Sequence, residues 1–152
     1  MWYAAGETYE PNVLAYAESR DGINWEKKKI NPIFTAQEGN YYEQDRVGGC
    51  QVMKVPQMGY VMLYIGYENI DTARICGAVS PDGITQWKRF KCNPLISPTE
   101  GGWDADACYK PSFLWNQDTN QWMLWYNGRK WGDECIGLAL RDGFELDVIA
   151  YD

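Results

Sequence analysis

Apolar positions in this chain fall in short runs between polar and turn residues, and no stretch sustains a 3.6-residue apolar period. Short β-rich runs bounded by turn residues mark strands. The strongest runs are aromatic, Tyr60–Ile65 and Trp122–Tyr126, and each precedes another β-rich run, Arg74–Ser80 and Glu134–Leu140. Between them lies turn chemistry, with 15 glycines and 7 prolines in the chain. The pattern predicts an all-β fold.

The pattern also repeats. Asp21-Gly22, Asp82-Gly83 and Asp142-Gly143 stand 61 and then 60 residues apart. Each follows an aromatic strand that ends near a glycine: Trp2-Tyr3 with Gly6, Leu63-Tyr64 with Gly66, Trp125-Tyr126 with Gly128. Asn31-Pro32-Ile33 recurs as Asn93-Pro94-Leu95, and Tyr42-Glu43 recurs 61 residues later as Trp103-Asp104. Short strands repeating at one such period read as β-propeller blades, four-stranded antiparallel sheets set radially. The chain is read as a single partial propeller domain of about two and a half to three blades, with modules at roughly 1–31, 42–93 and 103–152. Counted outward, first strands are predicted at Gln51–Val55 and Ser112–Trp115, and second strands at Trp2–Ala5, Tyr60–Ile65 and Trp122–Tyr126. Third strands fall at Val13–Ser19, Arg74–Ser80 and Glu134–Leu140, and fourth strands at Trp25–Ile30, Trp87–Cys92 and Glu145–Ala150.

Composition narrows the chemistry. The chain has no histidine, which removes Ser-His-Asp and Cys-His nucleophiles and the usual zinc ligand sets. A formal charge of −7 without a Lys/Arg stripe argues against nucleic acid. Five cysteines with no CxxC spacing read as reduced thiols. Met1–Ala5 has neither a basic region nor a long apolar stretch, so no signal peptide or membrane span is expected and the location expected is cytoplasmic. No spacing matches a calcium loop, and neither cofactor nor metal is expected. Carboxylate chemistry remains. Eight Trp and eleven Tyr against four Phe supply rings with a polar handle, used in packing and on sugar-binding surfaces.

The line Trp2–Gly6 followed by Tyr16–Trp25 resembles the glycosidases of the five-bladed β-propeller superfamily, glycoside hydrolase families 32, 43, 117 and 130. Gly102-Trp103-Asp104, then Lys110–Leu114, then Trp122–Gly128 repeat that resemblance, which covers most of the chain and implies a carbohydrate ligand. The family ring closes with five blades in a chain roughly twice as long. The first module here starts at its second strand, so no residue matches the catalytic aspartate that the family carries on the opening inner strand. The Ser-x-Asp-Gly-x-x-Trp signature is intact only at Ser19–Trp25.

Asp21, Asp82 and Asp142 are read as turn residues, since Asp bonds its own backbone and Gly takes the positive φ. The opposite face gathers the loops before each first strand and those joining second to third strands. Glycosidic hydrolysis needs two carboxyl groups flanking the bond, and Asp45 and Asp104 are the leading candidates, with Glu43, Asp106 and Glu134 behind them. Arg46 and Lys110 are expected to hold hydroxyls, and Trp103, Tyr109 and Trp131 to contact the sugar. Asp45-Arg46 resembles the Asp/Arg pairing of sugar-processing propellers. Glu134-Cys135 resembles the Glu-Cys acid motif of family 32, but on a third strand instead of an inner one. The function expected is a glycosidase-like propeller that binds a carbohydrate and hydrolyses a glycosidic bond. The alternative is a non-catalytic sugar-binding or oligomeric interaction module. Three modules cannot close a ring, so a homodimer is expected, with a five- or six-bladed ring or a piece of a longer enzyme as the open alternatives.

Overall fold

The structure is a computed structural model and describes residues 1–6 and 10–146. Its strands are β1 (Trp2–Ala5), β2 (Val13–Glu18), β3 (Glu26–Lys27), β4 (Phe34–Thr35), β5 (Arg46–Val55), β6 (Gly59–Tyr67), β7 (Ala73–Ser80), β8 (Lys88–Arg89), β9 (Ala107–Asn116), β10 (Gln121–Lys130) and β11 (Asp133–Asp142). They form three antiparallel sheets, one per module. β1-β2 carries β3 and β4 on its outer edge, the middle sheet runs β5-β6-β7-β8, and the last runs β9-β10-β11. The architecture is that of propeller blades. No helix among the described residues is long and apolar enough to cross a membrane.

The fourth strands are shorter than predicted, and the repeated Asn-Pro explains why. Asn31 Nδ2 donates to the Tyr16 carbonyl and its Oδ1 accepts the Tyr16 N–H, at 2.9 and 2.8 Å. Asn93 does the same to Gly77, at 2.9 and 2.7 Å. A side-chain amide carries the same donor and acceptor as a peptide group, so it replaces one rung of the ladder. Each outer strand is thereby split, into β3 and β4 around Asn31, and into β8 and a bridge from Ile75 to Ile96 around Asn93. The fourth strand expected at Glu145–Ala150 lies beyond residue 146 for most of its length, outside the described residues, and Glu145 and Leu146 are not in a strand.

The core lies between the sheets. Alternate residues of β6 serve two neighbours. Met62 and Tyr64 pack with Leu14, Phe34 and Val47 toward the first blade. Val61 and Leu63 pack with Phe113 and Trp122 toward the third. A strand buried on both faces reads as a continuous apolar run, which is what Tyr60–Ile65 is. All five cysteines are free thiols.

Two Asp-Gly turns behave as expected. Asp21 Oδ1 accepts the N–H groups of Ile23 and Asn24, each at 2.8 Å, while Ser19 Oγ accepts that of Gly22, also at 2.8 Å. Asp82 and Ser80 repeat the arrangement. The Asn24 amide and backbone N–H groups stabilise the ionised Asp21 and hold its carboxyl well below the ordinary carboxylate range. Asp142 has no serine to match, and its Oδ1 accepts from Gln121 at 2.8 Å.

Candidate functional site

Both inner strands begin earlier than predicted, because each is bulged. In β5, Val47 pairs with Gly66 and Cys50 with Tyr64, so Gly48 and Gly49 together oppose Ile65. In β9, Ser112 pairs with Trp125 and Tyr109 with Asn127, so Lys110 and Pro111 together oppose Tyr126. A bulge turns the strand end and re-aims its side chains. Lys110 takes φ 55° there.

The acids ahead of these strands fall into two classes, repeated between blades. Glu43 and its counterpart Asp104 turn into the blades and are 1% and 3% exposed. Glu43 lies at the end of a 3₁₀ turn, Tyr41–Glu43. It receives the Tyr64 hydroxyl, the Gln37 N–H at 2.9 Å, and Arg89 Nε and Nη2 at 2.9 and 2.8 Å. Asp104 Oδ2 receives the Tyr126 hydroxyl at 3.3 Å and lies 3.6 Å from Cys108 Sγ, and its Oδ1 receives the Thr99 N–H at 3.3 Å. Neither lines a cavity at the mouth. Trp103 lays its indole against Gly128 and Gly137, 5.6 Å from the Tyr126 ring, and remains 42% exposed.

Asp45 and Asp106, two residues further on, form the second class. Their N–H groups donate to the carbonyls of Tyr67 and Arg129, at 3.0 and 2.9 Å, and so pin the start of each inner strand to the end of the next. Asp45 is ion-paired to Arg46, whose guanidinium is buried and lies 3.9 Å from the Tyr67 ring centroid. Asp106 Oδ2 accepts the Trp131 N–H at 2.6 Å.

Two open cavities adjoin here. The inner one, about 370 Å³, is lined by Glu10, Arg46, Tyr67, Ile70, Asp71, Ala73, Ala107, Tyr109, Arg129 and Glu134. The outer one, about 520 Å³, is lined by Asp71, Thr72, Ala105, Asp106, Arg129 and Gly132. Arg129 Nη2 donates to the Asp71 carbonyl at 2.6 Å, and these two residues form the wall the cavities share. At the inner cavity Glu134 receives the Tyr109 hydroxyl, Asn127 Nδ2 at 2.8 Å and Lys110 Nζ at 3.1 Å. The Tyr109 and Lys110 contacts hold its carboxyl below the ordinary range. Burial and the Glu134 carboxylate push the Tyr109 hydroxyl up. Such a carboxylate stays ionised, able to accept hydroxyls or act as base or nucleophile and unsuited to donating a proton.

Of the residues expected at the site, Arg46, Asp106, Tyr109 and Glu134 line these cavities. Lys110 touches Glu134, Asp45 pairs with Arg46, and Trp131 stands at the outer rim. Glu43, Asp104 and Trp103 do not line the cavities. Tyr67 lines the inner cavity without having been expected there, and Arg129, expected only among the loop residues of that face, lines both. Tyr67 is legible only through its pairing with Arg46 across β5 and β6, and Arg129 only through its place at the end of β10 beside the bulge. No group of three or more His, Cys, Asp or Glu side chains among the described residues is placed to hold a metal ion.

The family model for the glycosyl hydrolases family 32 N-terminal domain matches residues 1–137. An uncharacterized protein of Mycobacterium tuberculosis, strain H37Rv, is 28% identical over 146 residues, covering 92% of this chain and 46% of the relative. The chain thus spans about half the length of the curated relatives it matches. Among solved structures, a glycoside hydrolase superposes with a TM-score of 0.68 at 20% identity, over 88% of this chain and 37% of its own. A family 117 glycoside hydrolase of the marine bacterium Zobellia galactanivorans gives 0.68 at 19%, over 86% and 38%. An N-acetylgalactosamine deacetylase from F. plautii, solved with blood group B trisaccharide, gives 0.60 at 19%, over 84% and 40%. These likenesses establish the fold.

Proposed function

Because the chain belongs to the family of the glycosyl hydrolases family 32 N-terminal domain, we propose that it binds a carbohydrate in the inner cavity and acts there on a glycosidic bond. One observation carries this reading. Two blades bring Arg46, Tyr67, Tyr109, Arg129 and Glu134 to one open cleft, a mixture of fixed donors, fixed acceptors and aromatic edges that suits a polyhydroxylated ring. Glu134 is the base or nucleophile of the reaction and Asp45 the carboxyl that protonates the leaving oxygen, with Arg46 and Lys110 holding hydroxyls beside them. Release of reducing sugar from arabino-, xylo-, fructo- and manno-oligosaccharides, and turnover of aryl glycosides, test it. Glu134→Gln and Asp45→Asn should each abolish turnover while leaving the fold intact. Activity that survives both substitutions overturns the assignment.

A second reading, a sugar-binding module without chemistry, is favoured by the state of Glu134. Three donors keep it ionised, and the Asp45 carboxylate is committed to Arg46. Saccharide binding without turnover by the wild-type chain would select it.

The same proposal includes a second copy of the chain. The face of the last blade turned away from the core carries Leu114, Leu138, Leu140 and Ile136, which are exposed side by side in register with Met123, Trp125 and Asn127. An apolar sheet face of this kind is a docking surface. Light scattering coupled to size exclusion should give twice the chain mass, and a monodisperse monomer would overturn this part alone.

A further inference from the structure

One side-chain amide joins the two blades that form the inner cavity. Gln51 stands on β5, opposite Leu63 of β6, and reaches the main chain of β9. Its Oε1 accepts the Phe113 N–H at 2.6 Å, and its Nε2 donates to the Phe113 carbonyl at 3.0 Å. Among the described residues β9 ends its sheet, with β10 on one side only. The amide therefore supplies a rung on the other edge of β9. Asn31 and Asn93 do the same within their own blades, whereas Gln51 does it from the neighbouring blade. Leu63, Phe113 and Trp122 form one apolar cluster here, and Ile65, Ala107 and Tyr109 form the next, which adjoins the inner cavity. In such surroundings a fully paired amide makes strong, directional hydrogen bonds.

The rung lies beside a bulge that needs support. Lys110 takes φ 55° and precedes Pro111. Positive φ is uncommon outside glycine, and a residue before proline is driven toward extended conformations. The matching bulge in β5 is built from Gly48 and Gly49, neither of which takes a positive φ. An unfavourable backbone conformation persists only where its surroundings over-determine it. The β9–β10 ladder shifts register at this point, between Trp125 and Asn127, so the support comes from the other edge, at Phe113. The bulge in turn brings the Tyr109 hydroxyl to Glu134 Oε1 and Lys110 Nζ to Oε2, the latter at 3.1 Å.

We propose that Gln51 is a positioning residue of the inner cavity. Acting through the main chain of Phe113, it holds the β9 bulge in the form that sets Tyr109 and Lys110 on Glu134. Its bearing on function rests on the carbohydrate reading of that cavity, since Glu134 is the carboxylate it prepares. Asn127 reaches Glu134 from β10 and is independent of the bulge. The other charged groups of the cavity are Glu10, Arg46, Asp71 and Arg129.

The test is a carbon NMR titration of the glutamate carboxyls in the wild-type chain, Gln51→Met and Gln51→Glu, with the Glu134 signal identified by its loss in Glu134→Gln. Thermal unfolding checks that each variant folds. In the wild type Glu134 should titrate below the ordinary glutamate range. Gln51→Met keeps the length of the side chain and removes both hydrogen bonds. Its Glu134 should titrate closer to the ordinary value, because Tyr109 and Lys110 withdraw while Asn127 stays. Gln51→Glu should restore the wild-type titration. Among apolar side chains and facing a carbonyl, the introduced carboxyl is protonated at the pH where Glu134 titrates, and in that form it both donates and accepts. A Gln51→Met chain that is less stable but leaves the Glu134 titration in place overturns the proposal, as does a Gln51→Glu chain that titrates like Gln51→Met. If Gln51→Met does not fold, Gln51→Glu decides alone. Its Tyr109 ring resonances should match the wild type at about pH 5 and depart from it at about pH 8, where the introduced carboxyl is ionised. Resonances that match at both overturn the proposal. None of these measurements needs a saccharide, so failure of every saccharide to bind overturns the carbohydrate reading alone.

Discussion

Removing the guanidinium from the buried Glu43 cluster should destabilise the middle blade about as much as the loss of a large core side chain there. Four donors reach the Glu43 carboxylate, two of them from Arg89, and the Arg89 side chain is only 16% exposed. Arg89→Met leaves Glu43 buried with the Tyr64 hydroxyl and the Gln37 N–H alone. Breaking a buried pair from one side costs about 3–5 kcal/mol, because a charge remains without its counter-charge. Two surviving hydrogen bonds place this case near about 3 kcal/mol. For a chain of this size that corresponds to a fall in Tm of roughly 6–12 °C. Urea and thermal unfolding of Arg89→Met, Glu43→Gln and the double variant form the assay. The double variant should be more stable than Arg89→Met alone, because it no longer buries an unpaired carboxylate. If the two losses simply add, or if Arg89→Met costs under about 1 kcal/mol, the ion pair does not hold the blade and the reasoning is wrong.

Other consequences are equally direct. A Cβ at Gly77 would overlap the Phe90 ring, so Gly77→Ala should lose about 1–3 kcal/mol in urea unfolding. Asp21 and Asp82 have carboxyl pKa values lowered in the folded state by hydrogen bonds from Asn24 and Thr85, so their contribution is present above the ordinary value of 3.8 and is lost as pH falls below it. Asp21→Asn combined with Asp82→Asn should therefore flatten the stability profile below about pH 4, and an unchanged slope would refute the turn assignment. Burial pushes the Cys50 thiol up to about 12, and burial together with Asp104 pushes Cys108 up to about 12 as well, while Cys92 and Cys135 are exposed. Iodoacetamide near neutral pH, read by mass spectrometry, should label Cys92 and Cys135 first and reach Cys50, Cys76 and Cys108 only on unfolding.

Much of the fold was legible because its signals are local. β1 falls where the pattern placed it, at Trp2–Ala5, and β2, β6, β7, β10 and β11 begin within a residue or so of expectation. The first strands were read too short because Gly48-Gly49 and Lys110-Pro111 look like interruptions. They are bulges, where an extra residue breaks the period of two without ending the ladder. The fourth strands were read too long because an amide side chain can stand in for a rung, which no propensity expresses.

At the site the division is sharper. The period of 61 paired Glu43 with Asp104, but it did not reveal that both point into the blades. Residues 41–43 form a 3₁₀ turn, so strand alternation does not apply there, and burial is set by Tyr64 and Arg89 from other strands of the blade. The sequence by itself determined the blades and their repeat, because the spacing of apolar, turn and Asn-Pro residues acts within one module. Only the tertiary structure decided which carboxylates meet a cleft. That choice depends on the side chains a neighbouring strand or blade brings within hydrogen-bonding distance, and those lie far away along the chain.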